Sequence, residues 1–222
     1  MAQNVSTAVM QRRVEPHDSL DFFPTPSWAT RALCQTLAQS FDLKTSNCWE
    51  PACGEGHMAR PLAEYFDLVY SSDVHDYGAG QVVDFLWPFD GPRFDWIITN
   101  PPFRLAEQFV DTALERAKVG VAVIVRSAFL EGIGRYHKLF SYRPPAVIMQ
   151  FTERVAMVKG KVDEDASSAT AYSWLVWLVH RTSNDTQFVW IPPCRDLLER
   201  SGDYAKPGAE PAAMPLFDGV SA

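Results

Sequence analysis

The sequence predicts an α/β protein: a doubly wound, mostly parallel sheet of seven strands with an antiparallel strand at the C-terminal end. Three observations point there. Apolar, β-branched runs alternate with segments whose apolar residues recur at helical spacing, the pattern of parallel strands joined by helices. The run VGVAVIVR at 119–126 is uninterrupted, as a strand buried on both faces should be. The first strand-like run also breaks into a glycine loop, EPACGEG at 50–56, where doubly wound sheets place their first strand-to-helix turn.

In chain order, residues 1–20 are polar and irregular and are expected to form a flexible N-terminal arm. A folded domain over 21–200 opens with a helix in TPSWATRALCQTLAQSF, where Thr25 can cap, Pro26 suits the first helical position, and Ala29, Leu33 and Leu37 share a face. NCWE then reads as a strand, and the glycine loop leads into a helix carrying Met58, Leu62 and Phe66 on one side. Pro61 is tolerable there because first-turn amides have no partner inside the helix. DLVYSSD, QVVDFL and FDWIITN read as the next three strands, ending near Asp73, Asp84 and Asn100. LAEQFVDTALERA reads as a helix with Leu105, Phe109 and Ala113 inward, and VGVAVIVR as the fifth strand. AVIMQF and AYSWLVWLVH complete the seven, joined by a polar, hairpin-type loop. From Ser201 the chain turns rich in Pro, Ala and Gly, and 201–222 is expected to be a flexible tail.

The bulk properties narrow the function. A chain of 222 residues with 47% hydrophobic and 13% aromatic residues can bury a large core in one domain. No apolar run approaches the ~18 residues of a membrane span, and the N-terminus lacks a signal peptide's apolar centre, so a cytoplasmic protein is expected. The four cysteines (Cys34, Cys48, Cys53, Cys194) have neither CxxC nor zinc-ligand spacing and read as reduced, mostly buried thiols. No metal is expected. The zinc-deaminase signature is missing too. A net charge of −7 argues against a general nucleic-acid binder, yet between Arg126 and Lys161 seven Lys or Arg face only two acidic residues.

Chemistry concentrates at the strand ends. Gly54 and Gly56 let backbone approach a ligand, but no Lys-Ser/Thr follows, so this is not a phosphate loop. Glu50 would repel phosphate and suit a cationic ammonium group. Asp73 stands where an acid accepts the hydroxyls of a ribose. Asp84, with Phe85 beside it, can accept from a purine's exocyclic amine while the ring covers the base. Together they suggest an adenosine bearing a positively charged amino acid, which describes S-adenosylmethionine. His57 and His75 flank this site, where capping or solvent roles are expected.

At NPPF, Pro101 and Pro102 hold the backbone extended, leaving the Asn100 side chain and the Pro101 carbonyl few alternatives. Two acceptors at one corner can take both hydrogens of a flat exocyclic amine and stabilise the positive charge it gains on methylation. Phe103 can stack on the ring.

Taken in order, these elements resemble the S-adenosylmethionine-dependent adenine-N6 methyltransferases, with an acidic-Pro-Ala-Cys-Gly-x-Gly loop followed by Asn-Pro-Pro-Phe. DFFPTPSWATRAL is similar to the Phe-x-Thr-Pro element of that family, the order of motifs is gamma-like, and RSAFLEG resembles small phage and prophage DNA adenine methyltransferases. The resemblance covers about 20–192. It implies a Rossmann-like class I methyltransferase domain with Phe23, Thr25 and Pro26 at the methionine side of the cofactor. Glu50, Pro51, Ala52, Cys53, Gly54 and Gly56 would form the loop around its amino-acid group, Asp73 would hold its ribose, and Asp84 with Phe85 its adenine. Asn100, Pro101, Pro102 and Phe103 would hold the target base. Arg126, Arg135, Lys138 and Arg143 are candidates for phosphate contacts to DNA, with RNA as the alternative substrate.

The residues after 150 leave little room for the large recognition domain of sequence-specific gamma enzymes, so relaxed sequence preference is expected. Methylation of a protein glutamine amide is a further alternative, although its enzymes carry an N-terminal helical domain that 20 residues cannot supply. A non-catalytic partner of the same fold is the last, and such proteins tend to lose the Asn or the glycine loop. AMPLFDG at 213–219 is loosely similar to sliding-clamp-binding peptides, and a weak clamp contact is a possibility set against an ordinary chain end.

Overall fold

A computed structural model describes residues 21–88 and 90–205. Eight strands form a single sheet: β1 (Asn47–Glu50), β2 (Leu68–Asp73), β3 (Gln81–Val82), β4 (Phe94–Thr99), β5 (Ala117–Arg126), β6 (Val147–Phe151), β7 (Tyr172–Leu178) and β8 (Gln187–Ile191). Their order across the sheet is β3-β2-β1-β4-β5-β7-β6-β8. β1 to β5 are mutually parallel, β7 is antiparallel to both β5 and β6, and β8 is parallel to β6.

This corrects the expected count of seven: the expected antiparallel strand, AYSWLVWLVH, is β7 and is antiparallel, but it is inserted between β5 and β6, and β8 follows it in the chain. β8 is only five residues long and lies at the edge of the sheet, with Phe188 and Trp190 facing solvent and Ile191 buried. Val189 and Ile191 pack on the core while Phe188 and Trp190 face solvent, so this edge strand is apolar on both faces and shows no alternation that would mark it as a strand.

Side chains of successive residues in the central strands go to opposite faces. Trp96 and Ile98 of β4 and Ala122 and Ile124 of β5 join one core with α1 (Ser27–Leu37) and α2 (Ala59–Ala63), through Trp28, Leu33 and Leu62. Ile97, Val121 and Val123 join the other core with α3 (Ala106–Arg116), through Phe109, Val110 and Ala113. Helices on both faces explain why β4 and β5 are apolar on both faces through their centres, Trp96–Ile98 and Val121–Val125. Short helical turns follow at Ile133–Arg135 (α4), which runs into a π turn at Tyr136–Phe140, and at Arg195–Leu198 (α5).

Two local expectations change. Helix α1 begins at Ser27 with Pro26 in the capping position, and Thr25 makes no capping bond; its hydroxyl is buried without a partner. The domain also continues past Ser201. Arg31, nearly fully buried, donates to Asp203 at 2.7 Å and to Glu64 at 2.8 Å. A buried guanidinium is tolerable only with carboxylates around it, so Asp203 is drawn in with it. The arm at 1–20 and the segment 213–219 lie outside the described residues. No helix among the described residues is long and apolar enough to cross a membrane.

Because β1 to β5 are parallel, Glu50, Asp73, Asp84, Asn100 and Arg126 emerge at one edge. The strand order reverses direction between β1 and β4, the place where open α/β sheets leave a crevice.

Candidate active site

A cavity of about 400 Å³ occupies that crevice. Thirteen of the sequence-predicted residues line it: Phe23, Thr25, Glu50 to Cys53, Asp73, Asp84, Phe85 and Asn100 to Phe103. Pro26, Gly54 and Gly56 are absent from the lining. Gly54 and Gly56 have φ of +50° and +82°, a left-handed backbone that favours glycine and turns the chain after β1.

Glu50 sits at the end of β1, buried, with its Oε2 lacking any hydrogen-bond partner. Burial, reinforced by the nearby negative charge of Asp73, holds its carboxyl well above the usual carboxylate range, while the Ala59 backbone amide pulls weakly the other way. A buried carboxyl with an unsatisfied oxygen at the cavity wall can take a hydrogen-bond donor or a cation. Asp73, one strand over, accepts from the Gly54 N–H at 2.9 Å and from the His75 N–H at 3.0 Å. Each carboxylate oxygen keeps a further lone pair, so two adjacent hydroxyls could be accepted side by side. His75 and the buried His57 line the cavity; His57 Nε2 lies 3.4 Å from Glu55.

Asp84 accepts from the Leu86 N–H at 2.9 Å, which turns the chain after β3. Phe85 is packed against Trp49 and Phe109 with ring centroids 5.0 Å away from each. Arg116, which the sequence reading overlooked, holds this corner to α3: it donates to the Phe85 carbonyl at 2.5 Å and the Trp87 carbonyl at 2.8 Å, and its guanidinium covers the Phe85 ring at 4.9 Å. Its place on the polar side of an amphipathic helix looks like ordinary solvation from sequence alone.

The Asn-Pro-Pro-Phe corner is held by the segment before α1. Asn100 Nδ2 donates to the Phe23 carbonyl at 2.7 Å, the Phe103 N–H donates to Asp21 at 2.7 Å, and the Gly160 N–H donates to the Phe22 carbonyl at 2.9 Å. Residues 21–25 therefore strap the cavity. Since a carbonyl can only accept, the Asn100 nitrogen must face Phe23, which leaves Oδ1 as the free acceptor of this side chain. Phe103 packs near Phe23 with ring centroids 5.3 Å apart, and the Arg126 guanidinium lies over it at 4.1 Å. Asp21, Phe22 and Met157, which meets Asn100 from the β6–β7 loop, were not singled out in the sequence. The proximity of FF to the Phe-x-Thr-Pro element was the one available signal for Phe22.

The candidate phosphate contacts divide. Arg135 is committed internally: it donates to the Phe129 carbonyl at 2.7 Å, the Glu131 carbonyl at 2.6 Å and Glu107 at 3.1 Å. Arg143 pairs with Asp111 at 3.3 Å, and Arg126 is spent partly on Phe103. Lys138 is exposed. Among the described residues no group of three or more His, Cys, Asp or Glu is placed to hold a metal ion.

Solved structures share this architecture. The chain is similar to the type I restriction-modification system methyltransferase subunit from Streptococcus thermophilus, with TM-score 0.59 and 12% identity, covering 76% of this chain and 47% of that one. A modification subunit of a putative type I restriction enzyme from Vibrio vulnificus YJ016 gives TM-score 0.55 and 15% identity, covering 77% and 47%. A putative RNA methyltransferase from Pyrococcus horikoshii gives 0.56 and 15%, covering 73% and 90%. The fold is that of the α/β methyltransferases. The chain spans about half the length of the two restriction-system subunits. No family model matches the chain, and no curated protein matches it in sequence.

Proposed function

We propose that this chain is an S-adenosylmethionine-dependent methyltransferase acting on the exocyclic N6 amine of adenine in DNA, with relaxed sequence preference. One observation carries the reading: the Asn100 amide is turned by the Phe23 carbonyl so that its oxygen remains as an acceptor on the cavity that Glu50, Asp73 and Asp84 also line.

The residues fit the cofactor. A buried, unpartnered Glu50 oxygen in the cavity wall suits the ammonium of an amino acid, Asp73 suits a ribose, and Asp84 beside Phe85 and Leu86 suits an adenine. Phe23 and Thr25 would close the methionine side. S-adenosylmethionine supplies an electrophilic methyl group on a sulfonium.

The chain's own residues do the rest by position and electrostatics. Asn100 Oδ1 and the Pro101 carbonyl accept the two hydrogens of the target amine and fix its lone pair. As that nitrogen becomes positive, both acceptor dipoles stabilise it more strongly than they stabilise the neutral amine. Preorganised dipoles in such a site typically contribute a factor of about 10²–10³ in rate. Arg126 backs one face of Phe103 and Phe23 packs beside it, which holds this ring as a platform for a base. A base in a duplex must swing out to reach this corner, at a cost of a few kcal/mol.

The restriction-system subunits that share the fold favour DNA, and the Pyrococcus structure, titled a putative RNA methyltransferase, makes RNA the second reading. Incubating the protein with methyl-labelled S-adenosylmethionine and, separately, duplex DNA, single-stranded DNA and total RNA decides between them. Digestion to nucleosides should place the label on N6-methyldeoxyadenosine. Label confined to RNA nucleosides, to another base or to protein would replace this reading.

A further inference from the structure

The side-chain nitrogen of Asn100 carries two hydrogens, and the fold supplies two acceptors for it. One is the Phe23 carbonyl at 2.7 Å; the other is the thioether sulfur of Met157 at 3.7 Å. We propose that Met157 is a positioning residue: its sulfur fixes the plane of the Asn100 amide and so aims Oδ1 at the target amine. The assignment of Oδ1 to that amine rests on the function proposed above.

A single acceptor would leave the job half done. The Phe23 carbonyl decides which end of the amide is nitrogen, but the group could still swing about the one hydrogen bond, since the terminal torsion of Asn is broad. A second acceptor on the second hydrogen removes that swing. A flipped amide would set its oxygen against a carbonyl oxygen and a sulfur lone pair with no proton between them. Sulfur is a weak acceptor, but it is large and polarisable and packs in an apolar wall without demanding a donor of its own.

The surrounding loop is built to keep the sulfur there. The connection between β6 and β7 runs from 152 to 171 with a single bridge, Val158 to Lys161, as its regular structure. Loops this long are uncommon in compact domains unless they serve a site. Val155 and Met157 are both buried in the core that α1 forms with the sheet. Three residues on, the Gly160 N–H donates to the Phe22 carbonyl at 2.9 Å, so one loop holds both the strap and the Asn100 amide.

The test compares Met157→Leu with Met149→Leu in the full chain. Met149 is buried in the same core, so both variants lose a thioether and keep side-chain bulk. The Asn100 carboxamide signal is assigned in a ¹⁵N-labelled protein by its loss in Asn100→Asp. In Met157→Leu its protons should shift and exchange with water several-fold faster, and in Met149→Leu they should not. In parallel, kcat should fall by about three- to tenfold, the range one modest hydrogen bond commands, with KM for the methyl donor unchanged. An Asn100 signal unaltered in Met157→Leu, or altered equally in both variants, overturns the proposal. An altered signal in a protein without methyl transfer would sustain the positioning role and remove the proposed activity instead.

Discussion

Phe22 and Gly54 compete for one space: a Cβ added to Gly54 would lie 2.3 Å from the Phe22 ring. The strap before α1 can cross the loop after β1 only because residue 54 has no side chain. Gly54→Ala should therefore displace Phe22 and strain the backbone, costing about 1–2 kcal/mol of stability. Donor binding should weaken by more than that loss explains, because the strap opens. Thermal melting with and without S-adenosylmethionine checks both, and a variant that binds the donor normally would contradict the account.

Glu50 carries a raised pKa in the folded chain, from burial first and Asp73 second. The folded state thus holds this proton more tightly than the unfolded chain does. Its contribution to stability is complete below the ordinary glutamate value of about 4.3 and is lost as pH rises from there to the raised value. Glu50→Gln should abolish that loss, melting higher than wild type at neutral pH. The same change should weaken donor binding by about 10- to 100-fold, since a charged partner for the ammonium is gone. Wild-type donor affinity should rise with pH over the same window, because a cation binds the ionised acid. A pH-independent affinity would argue against Glu50 as the ammonium partner.

On the proposed function, Arg126 supports the target side. Its guanidinium lies 4.1 Å from the Phe103 ring, so Arg126→Ala should loosen the stacking platform and reduce turnover by about fivefold. Donor affinity, measured by calorimetry, should stay at the wild-type value. A loss of donor affinity would place Arg126 with the cofactor instead.

Among the basic candidates, Lys138 gives the clean nucleic-acid test. It is exposed, whereas Arg135 braces its own loop through Phe129, Glu131 and Glu107. Lys138→Glu should lower the salt slope of DNA binding by roughly one without changing the melting temperature. Substituting Arg135 should lower the melting temperature as well. An unchanged slope for Lys138→Glu would remove this surface from the interface.

The placement of the candidate site was legible where it depends on local order. Strand, glycine loop and acid follow one another in sequence, and parallel topology carries Glu50, Asp73, Asp84 and Asn100 to one edge without further information. What escaped the reading depends on distant partners. Asp21, Phe22 and Met157 matter through bonds to Phe103, Gly160 and Asn100, and no periodicity encodes those meetings. Arg135 and Arg116 read as surface charges because their backbone-carbonyl partners are invisible in composition. β8 was missed because QFVWI is apolar on both faces, Val189 and Ile191 inward and Phe188 and Trp190 outward, so it shows no alternation, and the contact that holds the residues just past 201 was missed because Asp203 is recognisable only beside a buried Arg31.

The central claim is that the Asn100 oxygen and the Pro101 carbonyl hold an amine in line with a bound methyl donor. Single-turnover methyl transfer by Asn100→Ala, with donor affinity measured on the same preparation, tests it directly. The predicted result is a donor affinity within about twofold of wild type and a transfer rate lower by roughly 10²–10³. Transfer at the wild-type rate would contradict the account.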